Sequence, residues 1–342
     1  MGREQVIVAL SGGVDSAVTA LLLKEAGYEV SGVYMRLWNS AHSTYQERHA
    51  EQICCALNIP FSVIDMHREF EDYVINYFCQ EYKCGRTPNP CVACNKHIKF
   101  GLLLTKTLSL GANYLATGHY ARIEHSGNSC HLLKANDESK DQSYFLYTLN
   151  QEKLRHLLLP LGKYSKLEVK KLTKEKELPV SPKPSQDLCF ISDKNYRTFL
   201  TQRFSTKPGD IVHSSGEILG HHQGTAFYTI GQRRGLGAAW GKPFYVIRIE
   251  PDDNRVVLGT KEELYTQEAI AKEVNWIADT PLAKFTNITA KIRYRSLETP
   301  VTLSPKGESI NVWFPQPQRA VTPGQAIVFY DDDEVLGGGI IE

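Results

Sequence analysis

The chain has 342 residues, with 39 Lys and Arg against 38 Asp and Glu for a formal charge of +1, which excludes a broadly basic nucleic-acid binder while allowing local patches. This length implies two or three domains of ~100–200 residues each, with ample apolar content for real cores. No apolar segment approaches the roughly 18 residues of a membrane span, and Gly2-Arg3-Glu4-Gln5 leads directly into a core strand, so a cytoplasmic protein without membrane contact is expected.

The first element is also the most informative. Val6 to Leu10 reads as a buried strand and Ala17 to Leu23 as a helix, and the turn between them is Ser11-Gly12-Gly13-Val14-Asp15-Ser16. The two glycines let backbone approach an anion, the first helix amides point at it, and Ser11 and Ser16 add hydroxyl donors. Asp15 would repel a phosphate unless a cation sits between them, which points to a metal-bound polyphosphate. The turn lacks the Gly-Lys-Ser/Thr ending of a Walker loop and the Gly-x-Gly-x-x-Gly of a dinucleotide fold. It resembles the pyrophosphate loop of the ATP pyrophosphatases (PP-loop enzymes), which split ATP between the α and β phosphates and adenylate a substrate oxygen.

Glu29 to Met35 reads as a second strand, Tyr45 to Leu57 as a helix, Phe61 to Asp65 as a third strand, and Ala112 to His119 as a fourth ending in a Gly-His turn. Strands alternating with helices imply an α/β domain with a doubly wound parallel sheet, whose ligands lie beyond the carboxyl ends of its strands. That rule gathers Ser11 to Ser16, Met35, Gly118 and His119 around one crevice, with Met35 against an adenine, and the expected ATP-binding residues are Ala9 to Ser16, Met35 and Gly118. A lysine-rich stretch, Lys163 to Lys183, carries seven lysines against Glu168, Glu175 and Glu177, and reads equally as a basic patch or a solvated helix face. Beyond residue 200 the pattern changes to short strands: Gly209 to Val212, Thr225 to Ile230, Phe244 to Ile249 and Arg255 to Gly259. A further series covers Ile288 to Tyr294, Val301 to Leu303, Ile310 to Phe314 and Ala326 to Tyr330. The expected organisation is a catalytic α/β domain over 1–200, a small β-rich central domain over 205–265, and a C-terminal β-barrel over 268–342.

Eight cysteines in a reducing compartment do not form a structural disulfide framework. Cys54, Cys55, Cys79 and Cys130 sit in ordinary sequence and read as buried, inert thiols. Two segments deliver three further cysteines from proline-stiffened polar loops: Gly85-Arg86-Thr87-Pro88-Asn89-Pro90-Cys91-Val92-Ala93-Cys94-Asn95-Lys96, and Pro182-Lys183-Pro184-Ser185-Gln186-Asp187-Leu188-Cys189. Lys96, or a helix start after Pro90, would lower the pKa of Cys94. A thiolate near an ATP site suggests sulfur chemistry.

These segments, with Thr117-Gly118-His119-Tyr120-Ala121-Arg122, Lys140-Asp141-Gln142-Ser143-Tyr144-Phe145-Leu146, Gly231-Gln232-Arg233-Arg234-Gly235-Leu236-Gly237 and Arg293-Tyr294-Arg295, resemble the bacterial tRNA-specific 2-thiouridylases over essentially the whole chain. The resemblance implies an enzyme that uses ATP and Mg²⁺ to adenylate O2 of the wobble uracil in tRNAs for Lys, Glu and Gln, then replaces that oxygen with sulfur. It implies a persulfide on Cys189, charged by a cysteine desulfurase or a sulfur-relay protein, with Cys94 as nucleophile and Asp15 in the ATP loop. Cys94 attacks either the activated ring or the persulfide, the latter freeing sulfide as a Cys94–Cys189 disulfide forms. The family's tRNA contacts fall on Asn89, Pro90, Cys91, Lys140, Asp141, Gln142, Arg293 and Tyr294, and a monomer is expected.

One position departs from part of the family: Cys91 stands where many relatives carry Asp. The resulting Cys91-x-x-Cys94 pair admits a [4Fe-4S] cluster completed by Cys189, or zinc completed by Cys84. Rival readings are another adenylating enzyme of the fold, such as a tRNA lysidine synthetase or an amidating synthetase, or a non-catalytic ATP- or tRNA-binding module. Both leave Cys94 and Cys189 without a purpose.

Overall fold

The computed structural model describes residues 3–38, 41–182, 188–191, 195–236, 243–277 and 288–342. Lys183 to Asp187 of the second cysteine loop, and Gly237, lie outside the described residues.

Strand β1 (Gln5–Leu10) leads through the Ser11–Gly13 turn into helix α1 (Val14–Glu25). Then come β2 (Glu29–Arg36), α2 (Ala41–Leu57) and β3 (Phe61–Asp65). A helical stretch over 67–83 (α3) and another over 90–109 (α4) precede β4 (Tyr114–Ala116). The hairpin β5 (Arg122–Ser126) and β6 (Ser129–Leu133), the short β7 (Leu157–Leu158) and helix α5 (Lys166–Glu175) complete this part. The sheet is parallel, in the order β3-β2-β1-β4-β7. β1 shows why it is covered on both sides: alternate residues of a strand face opposite ways. Val6, Val8 and Leu10 join the core under α1, α2 and α5, whereas Ile7 and Ala9 pack against the core built from Phe70, Phe78, Ile98 and Leu103 of α3 and α4. The chain winds out in both directions from β1, so the crevice beyond the ends of β1, β2 and β4 is where a ligand fits.

The fourth strand is shorter than the sequence suggests, because Thr117 to His119 turns away to face the crevice. The central domain is a four-stranded sheet of Tyr245–Glu250, Arg255–Gly259, Gly209–His213 and Ile218–His222. Thr225 to Ile230 is not a strand. Thr225–Phe227 forms a single tight turn after Gly224 and sends Ala226 and Phe227 into the core, so its apolar residues reflect burial without pairing. In the C-terminal part, Tyr265–Trp276 pairs with both Ser309–Arg319 and Glu334–Ile341 in a nine-stranded sheet. This sheet curls into a half-barrel, bringing Thr299 of one edge strand beside Gln318, whose amide donates to the Thr299 hydroxyl at 3.3 Å.

Two joints fix this half-barrel to the α/β domain. β6 pairs with the Glu334 strand, and the barrel grips the first cysteine loop: Thr87 N–H donates to the Pro323 carbonyl at 2.9 Å and the Gln325 amide to the Thr87 carbonyl at 2.8 Å. A Cβ on Gly324 would stand 2.9 Å from Thr87 N, so only glycine permits this approach.

Candidate active site

The phosphate loop is built to leave donors open. Gly13 caps α1 without a side chain to occupy the first amides, and the serines brace the loop: Ser16 Oγ accepts from Ser11 N–H at 3.1 Å and donates to the Gly13 carbonyl at 3.1 Å. Gly12 adopts φ 73°, and a Cβ there would lie 2.4 Å from the Gln46 carbonyl oxygen. Gly12→Ala should therefore lower stability by roughly 1–3 kcal/mol through strain and crowding, read as a reduced Tm together with weakened ATP binding. Gly118 closes the opposite side, where a Cβ would come within 3.0 Å of the Ser16 amide nitrogen.

Asp15 lies in the first turn of α1, and the cation beside it in the folded chain is a lysine side chain. Lys166, the first residue of α5, places Nζ 2.5 Å from Asp15 Oδ1, and the Tyr120 hydroxyl donates to the same oxygen at 2.8 Å. Helix α5 is set by a capping box between Ser165 and Glu168, which fixes where Lys166 begins. The lysine-rich stretch is thus mostly a solvated face, with Lys176 on Glu25 and Lys171 on Glu175, but Lys166 turns inward.

The loop opens into a cleft of about 380 Å³ that also receives Met35, Trp38, His119, Gln142 and three cysteines, Cys91, Cys94 and Cys189. The sequence motifs therefore meet in one place. Cys94 follows the first turn of α4, where Asn89 is the cap, Pro90 occupies N1 and the Cys94 amide is already bonded to the Pro90 carbonyl. That position lies too far along the helix for its amino terminus to activate the thiol. Burial instead pushes Cys94 up to about 11, opposed by the charge of Lys99. Lys96 does not face it, standing 4.0 Å from Glu273 on the other side of the helix. The expected depression of the Cys94 pKa by Lys96 or the helix end is therefore corrected on both counts. Cys189 reaches solvent within the cleft, yet burial among protein atoms and the neighbouring Cys94 and Cys91 push its thiol up to about 12. From Cys94 to Leu103 the helix is π-helical, which aligns residue i with i+5 and so brings Lys99 onto the face of Cys94. His119 is held by Thr117 Oγ1 at 2.7 Å, and burial drives its pKa well below the usual value, leaving the ring neutral. Asn95 is 2% exposed; its amide donates to the Phe145 carbonyl at 3.0 Å, and its Oδ1 has no hydrogen-bond partner.

All eight cysteines are free. Cys54, Cys79 and Cys130 are buried, whereas Cys55 is exposed, contrary to expectation. Among the described residues, no group of three or more His, Cys, Asp or Glu side chains has the arrangement of a metal site. Neither the Cys91–Cys94–Cys189 set nor the Cys84 set is therefore built as one.

The residues expected at tRNA differ in what they offer. Cys91 is exposed at the cleft, and Asn89 donates to the Tyr144 hydroxyl at 3.2 Å. Lys140 is exposed, and Gln142 lines the cleft with its Oε1 accepting from Tyr120 N–H at 3.0 Å. Asp141 corrects the expectation. It is 6% exposed and accepts from Ala135 N–H, Ser143 N–H and Ser143 Oγ, so its carboxylate braces the loop that presents its neighbours. Arg293 and Tyr294 follow the strand Ile288–Lys291 in a turn. Arg293 is half-buried and donates to the Arg319 carbonyl at 3.1 Å, while Tyr294 packs on Phe145 with ring centroids 4.4 Å apart.

Three family descriptions cover the chain: "tRNA methyl transferase HUP domain" over residues 4–193, "tRNA methyl transferase PRC-barrel domain" over 197–260 and "Aminomethyltransferase beta-barrel domain" over 266–341. The tRNA-specific 2-thiouridylase MnmA of Carboxydothermus hydrogenoformans is 46% identical over 359 residues, spanning 100% of this chain and 98% of that protein. The tRNA-specific 2-thiouridylase MnmA of Halothermothrix orenii is 46% identical over 357 residues, spanning 99% of each. Among solved structures, the U34-tRNA thiolase NcsA from Methanococcus maripaludis with its [4Fe-4S] cluster aligns with TM-score 0.38 and 21% identity over 58% of this chain and 64% of that one, too distant a likeness to bear on chemistry here.

Proposed function

The chain belongs to the tRNA-specific 2-thiouridylase family and performs ATP-dependent 2-thiolation of tRNA, and we propose that the cleft joining the phosphate loop to Cys94 and Cys189 carries out both halves of that reaction. The carrying observation is the shared lining: Ser11 and Gly13 of the phosphate loop border the same cleft as Cys91, Cys94 and Cys189. Two thiols facing an ATP loop accord with sulfur transfer rather than with the methyl transfer in the family descriptions.

In the first half, O2 of the wobble uracil, in tRNAs for Lys, Glu and Gln, attacks the α-phosphorus and pyrophosphate leaves. The loop amides from Gly13 onward bind the phosphates, Met35 lies against the adenine, and Gly118 leaves room for the nucleotide. Asp15 is the acid that would hold Mg²⁺, an ion that neutralises charge on the departing pyrophosphate. In the second half, a cysteine desulfurase or relay protein leaves a persulfide on Cys189. The Cys94 thiolate attacks the Cys189 sulfur, the Cys94–Cys189 disulfide forms, and HS⁻ departs with the electron pair of the broken S–S bond. HS⁻ then displaces AMP from C2, and an external thiol reductant returns the disulfide to two thiols. Asn89, Pro90 and Cys91 border the target base, while Lys140, Gln142 and the Arg293–Tyr294 turn contact the RNA, with Asp141 as a brace. The enzyme acts as a monomer in the cytoplasm; no described helix is long and apolar enough to cross a membrane.

Incubation with unmodified tRNA, ATP, Mg²⁺, cysteine and a cysteine desulfurase, followed by mass analysis of the wobble nucleoside, should show oxygen replaced by sulfur. An unchanged nucleoside would refute the reading. We place no cluster on the three cysteines, because their arrangement is not that of a metal site. Anaerobically purified protein should be colourless and free of iron and acid-labile sulfide while fully active, and Cys91→Ser should retain thiolation within about threefold, less than one kcal/mol of barrier. Iron bound in proportion to activity would overturn this.

A further inference from the structure

Among the described side chains lining the cleft, Lys99 alone carries a formal charge, since the other described titratable groups there are thiols, a phenol and the neutral His119. No carboxylate among the described residues forms an ion pair with it, whereas Lys96, three residues earlier, faces away toward Glu273. Its charge acts on Cys91, Cys94, Cys189 and His119, in keeping with an ammonium that borders the cleft beside these four residues. Lys99 is half-buried, and an ammonium in a largely apolar cleft with no ion-pair partner among the described residues is best accommodated when an anion joins it there. The phosphate loop supplies donors of its own for the outgoing pyrophosphate, which leaves the ammonium beside the cysteines available to a different anion.

We propose that Lys99 is a catalytic residue of the sulfur-transfer half-reaction, its ammonium binding the phosphate of the adenylated uracil and compensating the charge that AMP gains as it leaves. This rests on the adenylate chemistry proposed above. In that step HS⁻ forms the C2–S bond, the C2–O bond breaks, and its electron pair passes to the phosphate oxygen. The adenylate monoanion and HS⁻ thus become neutral 2-thiouracil and the AMP dianion. Positive charge beside that oxygen is worth most in the transition state, where the second negative charge is developing. The π-helical run after Cys94 gives the placement its geometry, because the i to i+5 alignment puts the nucleophile and the cation on one face.

The test compares Lys99→Met, Lys99→Arg and Cys189→Ser in the full-length protein, following first-turnover pyrophosphate release and thiolation, with either the desulfurase system or free sulfide as sulfur source. Lys99→Met should release pyrophosphate at close to the unmodified rate, accumulate adenylated tRNA, and lose thiolation by about 100-fold with both sulfur sources, the scale of removing one oxyanion donor. Lys99→Arg, which keeps the charge and guards against a folding defect, should recover much of that loss. Thiolation by Lys99→Met restored by free sulfide would assign the lysine to the persulfide and overturn the proposal. A matching loss of pyrophosphate release would assign it to ATP binding and do the same. Cys189→Ser separates this from the underlying reading: it should fail with the desulfurase and recover with sulfide, and full activity with the desulfurase would sink the persulfide whatever Lys99 does.

Discussion

Cys189→Ser should leave tRNA unthiolated with a desulfurase as sulfur source, a loss of at least about 10³-fold, the scale on which removing a covalent catalyst acts. ATP binding and first-turnover pyrophosphate release should persist. The substitution exchanges sulfur for oxygen at a side chain that reaches solvent inside the cleft, so packing changes little while the capacity to carry a persulfide is lost. Burial raises the Cys189 pKa to about 12, so the thiol must lose its proton when the donor docks before its thiolate can attack the outer sulfur of the donor's persulfide. Cys94, raised to about 11, sets a pH dependence. Below that value the thiolate is the minor form, so single-turnover release of sulfide from the preloaded persulfide should rise about tenfold per pH unit from pH 7 to 9. A flat profile would show that Cys94 ionisation does not limit the step, and wild-type thiolation by Cys189→Ser would remove the persulfide from the mechanism.

The parallel sheet was legible because its strands are uninterrupted apolar runs separated by helices, and the phosphate loop because glycines and serines between a strand and a helix have few other uses. What stayed hidden depended on local geometry that residue types do not reveal. Lys99 was missed because ordinary helical spacing turns i and i+5 apart, and only the π-helical backbone after Cys94 brings them together. Lys166 was visible merely as one of seven lysines, although the Ser165–Glu168 capping box marked where its helix starts. Thr225 to Ile230 carries β-favouring residues, yet tertiary burial of Ala226 and Phe227 overrides them. Asp141 belongs to a motif that reads as an RNA contact, but three hydrogen bonds hold its carboxylate inside the loop.

Lys166→Met should slow pyrophosphate release by about 10²-fold or more while leaving transfer of sulfur from a desulfurase onto Cys189 unchanged. The ion pair with Asp15 is partly exposed, so its direct contribution to stability is small and Tm should move little. Its importance appears when ATP arrives. Without the ammonium, the Asp15 carboxylate meets the incoming polyphosphate before Mg²⁺ is in place, with the Tyr120 hydroxyl as its remaining described partner. Two like unit charges about 4 Å apart at a protein surface repel by about 4 kcal/mol, enough to account for a rate loss of that size. The same reasoning gives the sign of a double-mutant cycle. Asp15→Asn removes the repelling charge, so in the Lys166→Met background it should cost much less than in the wild-type protein. The measurement is first-turnover pyrophosphate release for the four proteins at fixed Mg²⁺. Strict additivity would show that Asp15 and Lys166 act independently, Asp15 on the metal and Lys166 elsewhere. A strong coupling would instead make the pair one device, in which the lysine holds the acid ready for the metal and cancels its charge toward the phosphate.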